Sequence, residues 1–237
     1  TKGELHMVGR LHADRERPVL LTVLGAFPPK AQKHDLVTGL PDESVLVCRY
    51  PGMHSTTWKD PSPLTVAEAL DEFISAHLKG RKIVAYGLST GCLVTLNLQS
   101  SEVCHQVAQE PFLNTAHLGP FIAYCRRFLE IEPNNRALAN FIWTIFGISR
   151  TDAVDRDYRV FRSNSSLPLD LIVGARSPES ATKAWPSFTR EEDRRILLDR
   201  PSARLHVGPE GTGHDVEPTP EARAMVKAVL SAVLASV

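Results

Sequence analysis

The segment Gly87-Leu88-Ser89-Thr90-Gly91 sets a serine between two glycines. The apolar run Ile83-Val84-Ala85-Tyr86 enters it, and Cys92, Leu93, Thr95 and Leu96 leave it at helical spacing. Such a five-residue pattern arises by chance in roughly one chain of this length in twenty, so its context decides its value. A strand before the motif and a helix after it make a sharp turn that would hold the Ser89 hydroxyl clear of the backbone. That turn forces the serine into a strained conformation, and the glycines let strand and helix approach without a Cβ between them. The chemistry on offer is nucleophilic attack. A serine hydroxyl is poor at it until a histidine accepts its proton, an assistance worth on the order of 10²- to 10⁴-fold.

The elements that must position this turn show as alternating patterns. Apolar runs of strand length occupy residues 18–24, 44–48, 82–86, 106–109, 169–173 and 203–207. Most are short and β-branched, as strands buried on both faces tend to be. Stretches of helical period separate them, the βαβα alternation of a mostly parallel sheet covered on both sides. Thr65-Val66-Ala67-Glu68 reads as a capping box and predicts a helix from residue 66 to about 79, closed by Gly80. Thr189-Arg190-Glu191-Glu192 reads as a second box. Thr219-Pro220 sets a cap and a first-turn proline ahead of Ala222, Val226, Val229, Leu230 and Val233. Residues 117–166 break the alternation, with Phe121, Tyr124, Phe128, Leu138, Phe141, Ile142 and Ile145 at helical spacing, the pattern of a helical insertion.

The whole chain, residues 1–237, fits one α/β domain. Apolar residues at 43% and charged residues at 23% provide a packed core without a disordered composition. Lys plus Arg equals Asp plus Glu at 27 each, which removes the basic excess that nucleic-acid binding needs. No apolar run approaches the roughly 20 residues of a membrane span, and Thr1-Lys2-Gly3-Glu4 does not begin a signal peptide. These features predict a soluble, cytoplasmic protein. Cys48, Cys92, Cys104 and Cys125 show no C-x-x-C spacing and read as reduced thiols, Cys92 as a small apolar residue of a buried helix. His54, His105, His117 and His206 have no metal-ligand spacing, so no metal is expected. Arg126, Arg127 and Arg136 read as a solvated helix face, and Trp58, Phe121 and Trp143 as packing between insertion and sheet.

Three further segments frame the serine motif. Val23-Leu24-Gly25-Ala26-Phe27 is similar to a His-Gly-x segment, and Arg49-Tyr50-Pro51-Gly52-Met53-His54-Ser55 to an Asp-x-Pro-Gly-x-Gly-x-Ser segment. Gly213-His214 falls between a strand pattern and the last helix. In this order they resemble the landmarks of the α/β-hydrolase superfamily, over nearly the whole chain. The resemblance implies a mostly parallel, doubly wound α/β sheet with residues 117–166 as a helical lid. It implies a serine hydrolase that cleaves a small-molecule carboxylic ester or thioester through an acyl-enzyme, without a cofactor. Ser89 would be the nucleophile, His214 the base, and the backbone N–H groups of Ala26 and Thr90 the oxyanion donors. One such donor is worth on the order of 10²-fold or more, and glycine at position 25 would let its loop come close.

The acid that orients the histidine is not where the family usually keeps it. After the family's seventh strand an Asp is common, whereas this chain reads Val173-Gly174-Ala175-Arg176-Ser177-Pro178. Some members carry the acid after the preceding strand, where Glu110 stands, and Glu110 is therefore the first choice. Glu179 is the alternative; Asp215 adjoins His214, and neighbours in an extended loop seldom point at each other. Leu24 replaces the frequent His and Arg49 the usual Asp. An acyltransferase with the same site, or a non-catalytic binding protein of the same fold, is the rival reading.

Overall fold

A computed structural model of the chain describes residues 5–25, 39–49, 63–111, 166–175, 187, 189, 191–214 and 219–237. The short apolar runs become strands: β1 (Met7–Arg10), β2 (Val19–Val23), β3 (Ser44–Cys48), β4 (Ile83–Leu88), β5 (Val103–Gln109), β6 (Leu169–Val173) and β7 (Ala203–Val207). Between and after them lie α1 (Pro63–His77), α2 (Gly91–Thr95), α3 (Glu191–Leu198) and α4 (Pro220–Ser236). The sheet has the order β1-β3-β2-β4-β5-β6-β7. Every neighbouring pair is parallel except β1 with β3.

Side chains alternate across each strand, so one strand feeds two cores. Leu21, Val23, Ala85, Leu171 and Val173 point to the face covered by Val66, Leu70 and Ile74 of α1 and Leu93 of α2. Leu20, Val84, Tyr86, Val107 and Ile172 point to the opposite face, under Val226, Leu230 and Val233 of α4. This double burial explains why β2, β3, β4 and β6 are wholly buried along their length. Thr219 caps α4, its side chain accepting from the Ala222 N–H at 3.2 Å, as the Thr-Pro pair predicts.

Three details differ from the sequence reading. β1 carries no periodic apolar signal and shows a half-exposed pattern; it exists because β3 offers it an edge. Both β4 and β5 run longer than expected: pairing carries β4 on to Leu88, opposite Gln109, and starts β5 at Val103, opposite Ile83. And α1 opens at Pro63, so Thr65 lies inside its first turn, where proline's fixed φ starts the helix. The insertion foreseen at 117–166 lies outside the described residues apart from Ser166.

The sheet's topology fixes where a ligand can sit. From β2 the chain moves outward to β3, and from β4 it moves the other way to β5, β6 and β7. Between β2 and β4 the strand order therefore reverses, and the C-terminal side of such a switch point is the usual ligand position of open parallel sheets.

Near the opposite ends of β5, β6 and β7 a buried carboxylate ties the strands together. Asp170 Oδ2 lies 2.7 Å from His105 Nε2 and accepts from Arg204 Nη2 at 2.7 Å, while Oδ1 lies 2.5 Å from His206 Nε2. Burial pushes the Asp170 carboxyl up, but the bonds from His105, Arg204 and His206 outweigh it and hold the group well below the usual carboxylate range. The two histidines are thus structural partners of one aspartate. Among the described residues no cluster of His, Cys, Asp or Glu could hold a metal, and no helix is long and apolar enough to cross a membrane.

Candidate active site

Ser89 is the residue immediately after β4 and Glu110 the residue immediately after β5. Since Leu88 pairs with Gln109, the two leave adjacent strands at the same level. Both have left-handed backbones, with φ 54° at Ser89 and φ 52° at Glu110. For a residue with a Cβ this costs on the order of 1–3 kcal/mol and persists only where the surroundings enforce it. Here the next strand enforces each bend in turn. The Ser89 N–H donates to the Gln109 carbonyl at 2.8 Å, and the Glu110 N–H to the Ile172 carbonyl at 2.8 Å.

The turn at Ser89 is crowded on both sides. A Cβ on Gly91 would stand 2.0 Å from the Val23 carbonyl oxygen, and one on Gly25 would stand 2.9 Å from Ser89 Cβ. The end of β2 therefore lies directly against the serine. Gly91→Ala is expected to cost about 1–3 kcal/mol by overpacking against rigid backbone. At roughly 2–4 °C per kcal/mol in a chain of this size, calorimetry should show a melting temperature lower by several degrees; an unchanged value would contradict this packing.

His214 comes from the loop after β7. That loop is anchored to β6 by the Gly208 N–H donating to the Val173 carbonyl at 2.7 Å, and by the Thr212 hydroxyl, which accepts from the Ala175 N–H at 3.3 Å. The Ser89 hydroxyl lies 2.9 Å from His214 Nε2, within hydrogen-bond distance. On the other side of the ring, Nδ1 stands 3.5 Å from Glu110 Oε2. That is an ion-pair distance rather than a tight hydrogen bond.

Glu110 is fully buried. Its Oε1 accepts from the Gly174 N–H at 2.5 Å, and its Oε2 accepts from the Ser187 hydroxyl at 2.9 Å and from the Thr189 hydroxyl at 3.3 Å. These donors offset the cost of burying a carboxylate. Position 174 contributes an amide that holds the Glu110 carboxylate from the neighbouring strand. Thr189 was expected to open a helix; α3 does begin just after it at Glu191, but the Thr189 hydroxyl points back to Glu110 and the Pro111 carbonyl. No local pattern signalled Ser187 or Gly174.

Of the remaining sequence candidates, Thr90 is buried and begins α2, next to Ser89. Ala26, Glu179 and Asp215 lie outside the described residues. Cys92 is buried beneath the turn, its thiol within reach of the carbonyls of Gly87 at 3.1 Å and Gln109 at 3.3 Å. Burial pushes that thiol well above its ordinary range, and pushes Cys48 up to about 12, so both stay protonated packing groups at neutral pH.

Neither a protein-family model nor a curated protein sequence matches the chain. Solved structures do. A monoacylglycerol lipase from Paleococcus ferrophilus matches with a TM-score of 0.66 at 17% identity, covering 100% of this chain and 99% of its own. An esterase from Pyrococcus furiosus matches with a TM-score of 0.62 at 16% identity, covering 97% and 91%. A thermophilic esterase from Thermogutta terrifontis matches with a TM-score of 0.58 at 18% identity, covering 99% and 93%. The chain has the α/β-hydrolase fold.

Proposed function

We propose that the protein is a serine hydrolase that cleaves carboxylic esters through an acyl-enzyme. One observation carries the reading: Ser89, His214 and Glu110 form a continuous chain from a strained strand-to-helix turn to a buried carboxylate. The ester and lipase activities named for the structural neighbours support the same class of substrate. A thioester would follow the same course with a thiol as the leaving group.

In this reading Ser89 Oγ attacks the acyl carbon as its proton passes to His214 Nε2. The carbonyl oxygen becomes an oxyanion, which the backbone N–H groups of Thr90 and Ala26 would stabilise. The intermediate collapses as His214 returns the proton to the departing alkoxide, leaving Ser89 acylated. Water then attacks the acyl-enzyme with His214 again as base, releasing the acid and restoring the hydroxyl. Glu110 keeps the Nδ1 proton on its own side of the ring, so that Nε2 is the basic nitrogen, and it favours the imidazolium formed in each step.

A fluorophosphonate probe tests this directly, because it reacts with an activated serine. Stoichiometric labelling at Ser89, with loss of p-nitrophenyl ester hydrolysis in step with labelling, is the expected result. A protein that hydrolyses the ester yet takes up no probe at Ser89 would refute the serine mechanism; one that does neither would favour the binding-protein reading.

A further inference from the structure

We propose that Ser187, supported by Thr189, is a positioning residue: its hydroxyl fixes the Glu110 carboxylate in the orientation that faces His214. The inference rests on the serine-hydrolase reading above. It starts from how Glu110 is held. The glutamate has one more methylene than an aspartate, and its backbone leaves β5 with φ 52°, so its carboxylate reaches the histidine across free torsions rather than by a short, stiff link. Something other than its own backbone must choose the rotamer. The Gly174 N–H holds Oε1 at 2.5 Å, one of the two carboxylate oxygens. The second oxygen decides the outcome, since Oε2 is the atom 3.5 Å from His214 Nδ1.

Ser187 donates to that same Oε2 at 2.9 Å from the side of the chain leading into α3. Thr189 lies on the same oxygen at 3.3 Å and on the Pro111 carbonyl at 3.2 Å. A hydroxyl has one hydrogen, so Thr189 divides its donation between these two acceptors and Ser187 is the stronger anchor. Both residues are almost wholly buried, at 0% and 2% exposure, so water does not replace a deleted hydroxyl without a new cavity. The two donors and the imidazole lie on one carboxylate oxygen, and a donor that is lost frees that oxygen to turn away from the ring. Proton transfer itself involves neither hydroxyl.

The test is a double-mutant cycle on p-nitrophenyl ester hydrolysis. Ser187→Ala should lower kcat on the order of tenfold with KM nearly unchanged, the loss of one hydrogen bond to a charged group. In a Glu110→Gln background the same change should have less than about a twofold further effect, because the group it acts through is already disabled. Thr189→Ser, which keeps the hydroxyl, should retain the rate, and Thr189→Val should lower it. An unchanged kcat for Ser187→Ala, or a full additional loss in the Glu110→Gln background, overturns the proposal. If Ser187→Ala does not fold, the Thr189 pair decides: equal rates for Val and Ser overturn it. Ser89→Ala is assayed alongside, because activity surviving that change refutes the parent mechanism, whereas a dead Ser89→Ala with an intact Ser187→Ala refutes only the positioning role.

Discussion

Ser89→Ala is expected to reduce ester turnover by a factor on the order of 10⁶, to a residue near the background of a nucleophile-free site. The change removes one oxygen from a half-buried position, and the carbonyl-anchored turn around it is held by backbone contacts that alanine keeps. Folding should therefore be little affected. Relief of strain is not on offer either, since alanine tolerates φ 54° no better than serine does. Steady-state hydrolysis of a p-nitrophenyl ester, with a melting curve as control, separates the outcomes. A variant that folds and still turns over at a native rate would move the chemistry to another residue, and the Ser89 to His214 contact would then be a structural hydrogen bond only.

Glu110→Gln should lower kcat by a factor on the order of 10³ or more. The amide keeps the volume but removes the charge that steadies a protonated His214. It also replaces one acceptor with a donor. The Gly174 N–H and the hydroxyls of Ser187 and Thr189 donate to the carboxylate in the native protein. A glutamine NH₂ must meet at least one of them, so a modest loss of stability should accompany the catalytic loss. Pre-steady-state and steady-state rates on the same ester would show the defect in both acylation and deacylation, since His214 serves both. Glu179→Gln, at the alternative sequence position, should be nearly silent. A near-native rate for Glu110→Gln would remove this carboxylate from the mechanism, whatever its distance from the ring.

Much of the frame was written locally. Strands β3 and β6 match their expected bounds because strands buried on both faces are mostly apolar along their length, which a short run states without reference to its neighbours, whereas β7 matches its bounds although it is half-exposed. The Thr219 cap is local too: the Ala222 N–H that it satisfies lies three positions on. Ser89 and His214 were legible as a pair only through the order of landmarks along the chain; their 2.9 Å contact spans 125 positions.

What the tertiary structure decided is partnership. The resemblance ranked Glu110 ahead of Glu179, which lies outside the described residues; what holds Glu110 in place is a left-handed bend and the strand beside β5. The sheet supplies both: β6 pins the bend through the Ile172 carbonyl, and the Gly174 amide receives the carboxylate. Ser187 and Thr189 reach the same carboxylate from 77 and 79 positions away, and nothing in their immediate neighbourhood records it. Asp170 likewise sits inside an apolar run; register sets it opposite Val107 and Arg204, and His105 and His206 reach it from two positions along the neighbouring strands. Backbone preference and apolar burial act over a few residues and so leave a trace in the sequence. Hydrogen bonds between side chains on different strands depend on the register and bends of the assembled sheet, which is where Glu110 acquires its partners.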